Sequence, residues 1–541
     1  MSRHARPRRR PSFVSIVTAL ALAAPAGIAA GATAAAVSPG QQTAVTSSAP
    51  GLIPKPSSQR ALAGQTFTLD RWSHVGVQTS VKEAKAARKI AGKLAGQLRR
   101  STGYPLPVVG SRHAAITLST NGPASLGAEG YTLRSDRSGI DVIAATPEGL
   151  YRGVTTLRQL LPAKAEAATR QAGPWQVQGV AIADQPRYEY RGAMLDVSRH
   201  FFSVAEVKRY IELVSLYKLN KLHLHLSDDQ GWRIQVDSWP RLTTYGGSLE
   251  VGGTPGGSYS KADYAEIVRY AAEHYLTVIP EIDTPGHTNA ALASYAQLNC
   301  NGVAPPLYTG TAVGFSSLCT TKQITYDFLG DVFREVAQQN PGPILHLGGD
   351  EAHSTPHQEY LDFLPKASAL VTAQNKSVMG WQEIAETPLP AGSIAQYWGT
   401  DDARSQELAR KAAAQNAKVV LSPANRAYLD MKYNASTPYG LDWAGLVPVE
   451  KSYSWNPSTL IPNLPANSIA GVEAPLWSET LDDIDKVEFM AFPRLPGIAE
   501  LGWSKEADLG WDTYKDRLAA QGSRWDALSV NFYRAPEIAW R

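Results

Sequence analysis

The chain has 541 residues, 43% of them hydrophobic and 19% charged, and a formal net charge of +3. So apolar a composition can bury more than one core and excludes a wholly disordered chain. Arg3, Arg6, Arg8, Arg9 and Arg10 supply the positive balance; without these five the charge is about −2, and no basic patch remains to argue for nucleic acid as a partner.

Residues 1–36 have the layout of a secretory signal peptide: those arginines, an apolar run over 13–24, then small residues through Ala36. The run is short and breaks at Pro25 and Gly27, against stable membrane insertion. A secreted, extracellular protein is expected. A linker rich in Ser, Pro, Gly and Ala follows over 37–59. Helical spacing then predicts a helix over 81–100, strands over 116–119, 131–135 and 139–145, and a second helix opening at Thr146-Pro147. Together these make a small α+β domain over 60–186 with no reactive constellation, an accessory module.

From 187 to 541 short apolar strands alternate with amphipathic helices, the pattern of parallel strands joined by crossover helices. Ser203 with Glu206, and Ser260 with Asp263, each open a helix as a capping box. Strands are expected over 191–197, 221–226, 276–281, 344–348, 377–381, 394–398, 419–422 and 469–477. Eight such units suggest an α/β fold, a (β/α)8 TIM barrel, whose active site lies at the carboxyl ends of the strands.

Those ends are unusually polar and aromatic. In chain order they offer Asp196 and Arg199; Asp228 and Asp229; Glu281, Asp283 and His287; Asp350 and Glu351; Trp381; Trp398; Tyr428 and Asp430; and Trp477 with Glu479. Any one could be a helix cap, a surface charge or a core aromatic. Furnishing all eight ends this way suits a carbohydrate, since indoles stack on the apolar face of a pyranose while carboxylates and Arg bind its hydroxyls.

Glycosidic cleavage needs an acid for the leaving oxygen and, in the usual scheme, a second carboxylate roughly 5 to 9 Å away on another strand. Here the most conspicuous acids are neighbours. His346-Leu-Gly-Gly-Asp-Glu351 leaves an apolar strand through paired glycines. Adjacent carboxylates raise each other's proton affinity, which would keep a glutamic acid protonated near neutral pH. The alternative is that Asp350 caps the next helix and Glu351 sits in its first turn. Cys300 and Cys319 are the only cysteines; in an oxidising compartment they read as one disulfide, or else as two unrelated buried thiols.

Over residues 50–541 the sequence resembles glycoside hydrolase family 20, the β-N-acetylhexosaminidases. The resemblance rests on His346 to Glu351, on Asp-Val-Ser-Arg-His-Phe at 196–201, on the motif from His223 to Trp232 and on Pro280-Glu-Ile-Asp-Thr-Pro-Gly-His287, all in the expected order. The smaller domain before the barrel is also similar to one this family carries. The resemblance implies substrate-assisted catalysis through an oxazolinium ion, with Glu351 as acid and base, Asp350 as partner of the acetamido nitrogen and Tyr428 as donor to its oxygen. It also implies aromatic walls from Trp381, Trp398 and Trp477, hydroxyl contacts from Arg199 and Glu479, and looser matches at Asp430 and Trp443. Asp228, Asp283, His287 and His346 would support the acid pair and the sugar. No cofactor or metal is called for, the partner is an N-acetylhexosamine-terminated oligosaccharide such as a chitin fragment, and the oligomeric state is left open.

Three other readings compete. His223-x-His225 projects two imidazoles to one face of a strand, as a metal-dependent hydrolase could use. A carbohydrate-binding protein that had lost catalysis would show damage at Asp350, Glu351 or Tyr428, which are all present. A two-carboxylate glycosidase would not need the acetamido group.

Overall fold

A computed structural model describes residues 51–541 apart from Arg112. The signal peptide expected at 1–36 lies outside the described residues. The part of the expected linker that is described is not a tether. Leu52 and Ile53 are buried, the Ile53 N–H donates to Gln159 Oε1 at 3.0 Å, the Lys55 N–H donates to Glu500 Oε2 at 2.9 Å, and the first strand already begins at Ser58. Composition misled here because short side chains also suit a segment that packs closely.

The small domain is a seven-stranded sheet of β1 (Ser58–Thr68), β2 (Val75–Gln78), β3 (Val108–Val109), β4 (Ile116–Ser119), β5 (Tyr131–Asp136), β6 (Gly139–Ala144) and β7 (Gln176–Asp184), in the order β1-β7-β5-β6-β4-β2-β3. In β5 and β6 alternate residues are buried, Tyr131, Leu133 and Ser135 facing the same core as Ile140, Val142 and Ala144. Helices α1 (Ala84–Thr102) and α2 (Pro147–Leu160) pack on the sheet and on each other. Helix α1 buries Ala87, Ile90, Ala91, Leu94 and Leu98, a stripe of helical period. At α2 the Thr146 side chain accepts from the Gly149 N–H at 3.0 Å, and Pro147 fills the first turn.

The second body is a closed parallel barrel of β8 (Tyr190–Asp196), β9 (Lys221–His225), β10 (Thr277–Thr284), β11 (Ile344–Gly348), β12 (Ser377–Trp381), β13 (Ile394–Tyr397), β14 (Lys418–Leu421) and β15 (Ile469–Ala474). Its strands are buried almost throughout, as parallel strands covered by helices must be. Both expected capping boxes form, opening the helices Val204–Ser215 and Lys261–Ala272.

The two bodies meet at the amino ends of the first barrel strands. Lys218 Nζ, ahead of β9, reaches Asp184 Oδ2 and Tyr131 OH, each at 2.9 Å, and Trp503 Nε1 donates to the other Asp184 oxygen at 3.0 Å. Arg152 of α2 donates to the carbonyls of Leu219 and Tyr275. The small domain is therefore fastened to the end of the barrel away from the carboxyl ends of its strands. No helix among the described residues is long and apolar enough to cross a membrane.

Candidate active site

The turn after β11 is built on its glycines. Gly348 and Gly349 have φ of 76° and 103°, and a Cβ on Gly348 would fall 1.7 Å from Asp283 Oδ1. Glu351 is itself left-handed at φ 43°, an uncommon conformation for a residue with a side chain. Tyr360 OH fixes the turn by donating to the Gly349 carbonyl at 2.6 Å. The next helix starts only at His357, with Pro356 before it. Asp350 and Glu351 are thus neither its cap nor its first turn.

His287, left-handed at φ 56° beyond β10, lies between the acid pair and Asp228. Its Nδ1 is 3.2 Å from Asp228 Oδ1, and its Nε2 is 3.3 Å from Glu351 Oε2 and 3.8 Å from Asp350 Oδ2. The second Asp228 oxygen meets Arg199 Nη2 at 2.9 Å and His225 Nε2 at 2.6 Å. Arg199 in turn lies over the Trp477 ring, 4.8 Å from its centre.

These neighbours divide the protons. Burial opposes ionisation of Asp228, but Arg199 and His287 hold its carboxyl well below the usual range. Burial would discharge His287, yet Asp228 and Glu351 hold it protonated well above the ordinary imidazole range. Burial drives Asp350 up to about 7, the charge of Glu351 adding to it and His287 opposing. Glu351 goes the other way: against burial, the hydrogen bond and charge of His287 lower it. This corrects the expectation that adjacency keeps Glu351 protonated. The carboxyl raised near neutrality is Asp350, because His287 points its Nε2 more closely at Glu351.

A cavity of 410 Å³ opens above the pair, lined among others by Arg199, Asp283, His287, Asp350, Glu351, Trp398, Tyr428, Trp443, Trp477 and Glu479. Tyr428 lies 6.1 Å from Trp477 and 6.0 Å from Trp443, ring centre to ring centre. Three of the expected residues stand elsewhere. Trp381 is fully buried and not part of this wall; it packs 5.8 Å from Trp477 and donates through Nε1 to Glu281 Oε1 at 3.0 Å. Asp228 is buried behind Arg199 and His287, out of reach of a ligand in the cavity. Asp430 is buried with one oxygen accepting from the Trp477 N–H at 3.4 Å.

Below this layer is a polar barrel core. His223 places its two ring nitrogens 2.9 Å from Glu473 and 3.0 Å from Glu281, and His225 is held by Glu281 and Asp228. His346 Nδ1 lies 2.9 Å from Glu281 Oε1, its ring 5.2 Å from Trp381. The two imidazoles of His223-x-His225 do share a face, and His223, Glu281 and His346 are close enough together to surround a cation. Both nitrogens of His223 and of His225 lie within ion-pairing distance of Glu281, Glu473 or Asp228, and His346 joins them through Nδ1 alone, an ion-pair framework that supports the site's floor.

Asp350 Oδ1, Arg199 Nε and Glu479 Oε2 are buried without a hydrogen-bond partner in the protein. Each such atom costs about 1–3 kcal/mol, and several together around one cavity mark a place shaped for a ligand rich in hydroxyl and amide groups. Thr311, Val313, Leu441 and, behind Trp398, Glu383 also face the cavities here and carried no signal in the sequence. Thr311 and Val313 lie in the loop closed by the Cys300–Cys319 disulfide, which has no hydrophobic period. Glu383 follows Trp381 by two residues and was one acid among many.

A (β/α)8 barrel that gathers acids, an imidazolium and indoles around a cavity at its strand ends is built as a glycoside hydrolase. The model of the glycosyl hydrolase family 20 catalytic domain matches residues 188–506, and that of the family's domain 2 matches residues 49–185. A β-N-acetylhexosaminidase of Cellulomonas fimi is 40% identical over 493 residues, 90% of this chain and 97% of its own. The family 20 β-N-acetylhexosaminidase structure from Streptomyces coelicolor is similar with a TM-score of 0.88 and 54% identity, covering 91% of this chain and 99% of that one. A mutant Streptomyces plicatus β-hexosaminidase in complex with its product GlcNAc has the same TM-score and identity, covering 91% and 98%. The chain belongs to glycosyl hydrolase family 20.

Proposed function

We infer that this enzyme is an exo-acting β-N-acetylhexosaminidase that removes terminal non-reducing N-acetylglucosamine or N-acetylgalactosamine with retention of configuration. The observation that carries the reading is the placement of Asp350 and Glu351 side by side in a cavity of 410 Å³ walled by Trp398, Tyr428 and Trp477. An adjacent pair cannot straddle a sugar as nucleophile and acid do. It can serve a substrate that brings its own nucleophile.

The substrate's acetamido carbonyl oxygen attacks C1, and the bonding pair of the C1–O bond passes to the leaving oxygen, which takes a proton from Glu351. The positive charge that develops on the acetamido nitrogen is met by the Asp350 carboxylate, which accepts its N–H. Tyr428 donates to the acetamido oxygen, while Trp398 and Trp477 hold the ring and acyl group and keep water from the oxazolinium ion. Water then adds to C1 with its proton going to Glu351, and the acyl oxygen leaves C1, restoring the acetamide. Two inversions give retention. Arg199 and Glu479, which line the same cavity, bind ring hydroxyls and so select a chain terminus.

In the free site the acid proton rests on His287. A sugar over Glu351, whose side chain is 26% exposed, removes its water and raises its proton affinity, drawing that proton from His287 Nε2 across the 3.3 Å contact. Asp228, ionised and braced by Arg199 and His225, holds the imidazole in line.

The amino-terminal layout and a disulfide at Cys300–Cys319 support a secreted enzyme, and chitin fragments are the fitting substrate for one acting outside the cell. Digestion of a chito-oligosaccharide followed by proton NMR tests the reading. Monosaccharide should appear first, as the β anomer; early internal fragments or the α anomer would overturn it.

A further inference from the structure

The wall formed by Trp398 separates two cavities. On one side is the sugar cavity of 410 Å³; on the other is a cavity of 600 Å³ that Trp398 shares with Glu351 and Trp443 and that Glu383, Glu386 and Asp402 also line. Trp398 packs against the buried cluster of Ala424, Tyr428, Met431 and Val447, but the open space it also borders leaves the ring only partly confined by packing. Its aromatic neighbour, Trp443, meets it edge-on at 6.0 Å and is itself 52% exposed, so it offers little restraint.

Hydrogen bonds supply the remaining restraint. Trp398 Nε1 lies 3.2 Å from each Glu383 carboxyl oxygen, and its backbone N–H donates to Gln382 Oε1 at 2.7 Å. Gln382 Nε2 ties the pair together, donating to Glu383 Oε1 at 3.2 Å and Ser405 Oγ at 3.3 Å. The dipeptide directly after β12 thus grips Trp398 at both ends, and the grip on the indole is the polar restraint on the ring's tilt.

We propose that Glu383 is a positioning residue that fixes the tilt of the Trp398 indole and thereby the depth of the acyl pocket, making the enzyme selective for N-acetyl over longer N-acyl groups. This rests on the reading of Trp398 as a wall of the acetamido pocket. Without the acceptor, the ring can turn into the cavity behind it and the pocket deepens. Burial, with the charge of Asp350 adding, pushes the Glu383 carboxyl up to about 8. Near neutral pH it therefore accepts from the indole without placing a second negative charge beside Asp350.

The test compares kcat/KM on 4-nitrophenyl N-acetyl- and N-propionyl-β-glucosaminide for the wild type, Glu383→Gln and Glu383→Leu. One methylene in a fitted pocket is worth about tenfold or more, so the wild type should prefer acetyl by at least about that factor. Glu383→Leu should bring the two rates within about threefold of each other. Glu383→Gln, which keeps an acceptor oxygen, should retain the wild-type preference. Trp398→Phe, which lacks the indole N–H, should behave as Glu383→Leu and carries the test if that variant does not fold. An unchanged acyl preference in Glu383→Leu or Trp398→Phe, whatever the loss of overall rate, would overturn the proposal. A wild type indifferent to the N-acyl group would instead overturn the reading of the site on which it rests.

Discussion

Asp350 and Glu351 are adjacent in the chain but meet different surroundings, and their roles follow from that difference. Asp350 is buried and raised, so its anion is lost as pH falls through a value above the ordinary aspartate range. The acid limb of kcat/KM should lie correspondingly high, and Asp350→Asn should remove that limb while slowing even activated aryl substrates. Glu351 borrows its proton from His287, so Glu351→Gln should cost about 10²- to 10⁴-fold on poor leaving groups and much less on 4-nitrophenyl substrates. Equal losses on both kinds of leaving group would contradict its role as acid. The sequence displayed the pair but not this division of protons, which depends on a histidine more than sixty residues away in the chain.

At the scale of elements, the turn after β11 does the most to place the chemistry. Gly348 is left-handed and touches Asp283, so Gly348→Ala meets both a backbone penalty and a collision with a buried carboxyl. It should lower stability by about 3 kcal/mol and abolish activity, as measured by denaturant unfolding alongside rate; a fully active variant would contradict the account of the turn. The strands of the barrel were legible because parallel strands read as short apolar runs, and the helices Val204–Ser215 and Lys261–Ala272 because their capping boxes are local. Strands β1 and β7 were not. Their exposed and buried residues are mixed, and β1 breaks register between Ala61 and Thr66, so no clean alternation marks it.

Across the whole molecule, the small domain braces the amino ends of the barrel strands, while the carboxyl ends of β8, β10, β11, β13, β14 and β15 supply residues that line the cavity and those of β9 and β12 supply the layer beneath it. That polarity made one end of the barrel legible in the sequence as the polar and aromatic end. What sequence could not order was depth. Trp381, Asp228 and Asp430 sit one layer below the residues that face the ligand, because burial depends on which side chain from a neighbouring strand lies above. The whole arrangement serves a nucleophile supplied by the substrate. The most direct measurement is the ratio of kcat/KM for 4-nitrophenyl N-acetyl-β-glucosaminide to that for 4-nitrophenyl β-glucoside. The account predicts a ratio above about 10³, since the glucoside has no group to attack C1. Comparable rates on the two substrates would contradict it.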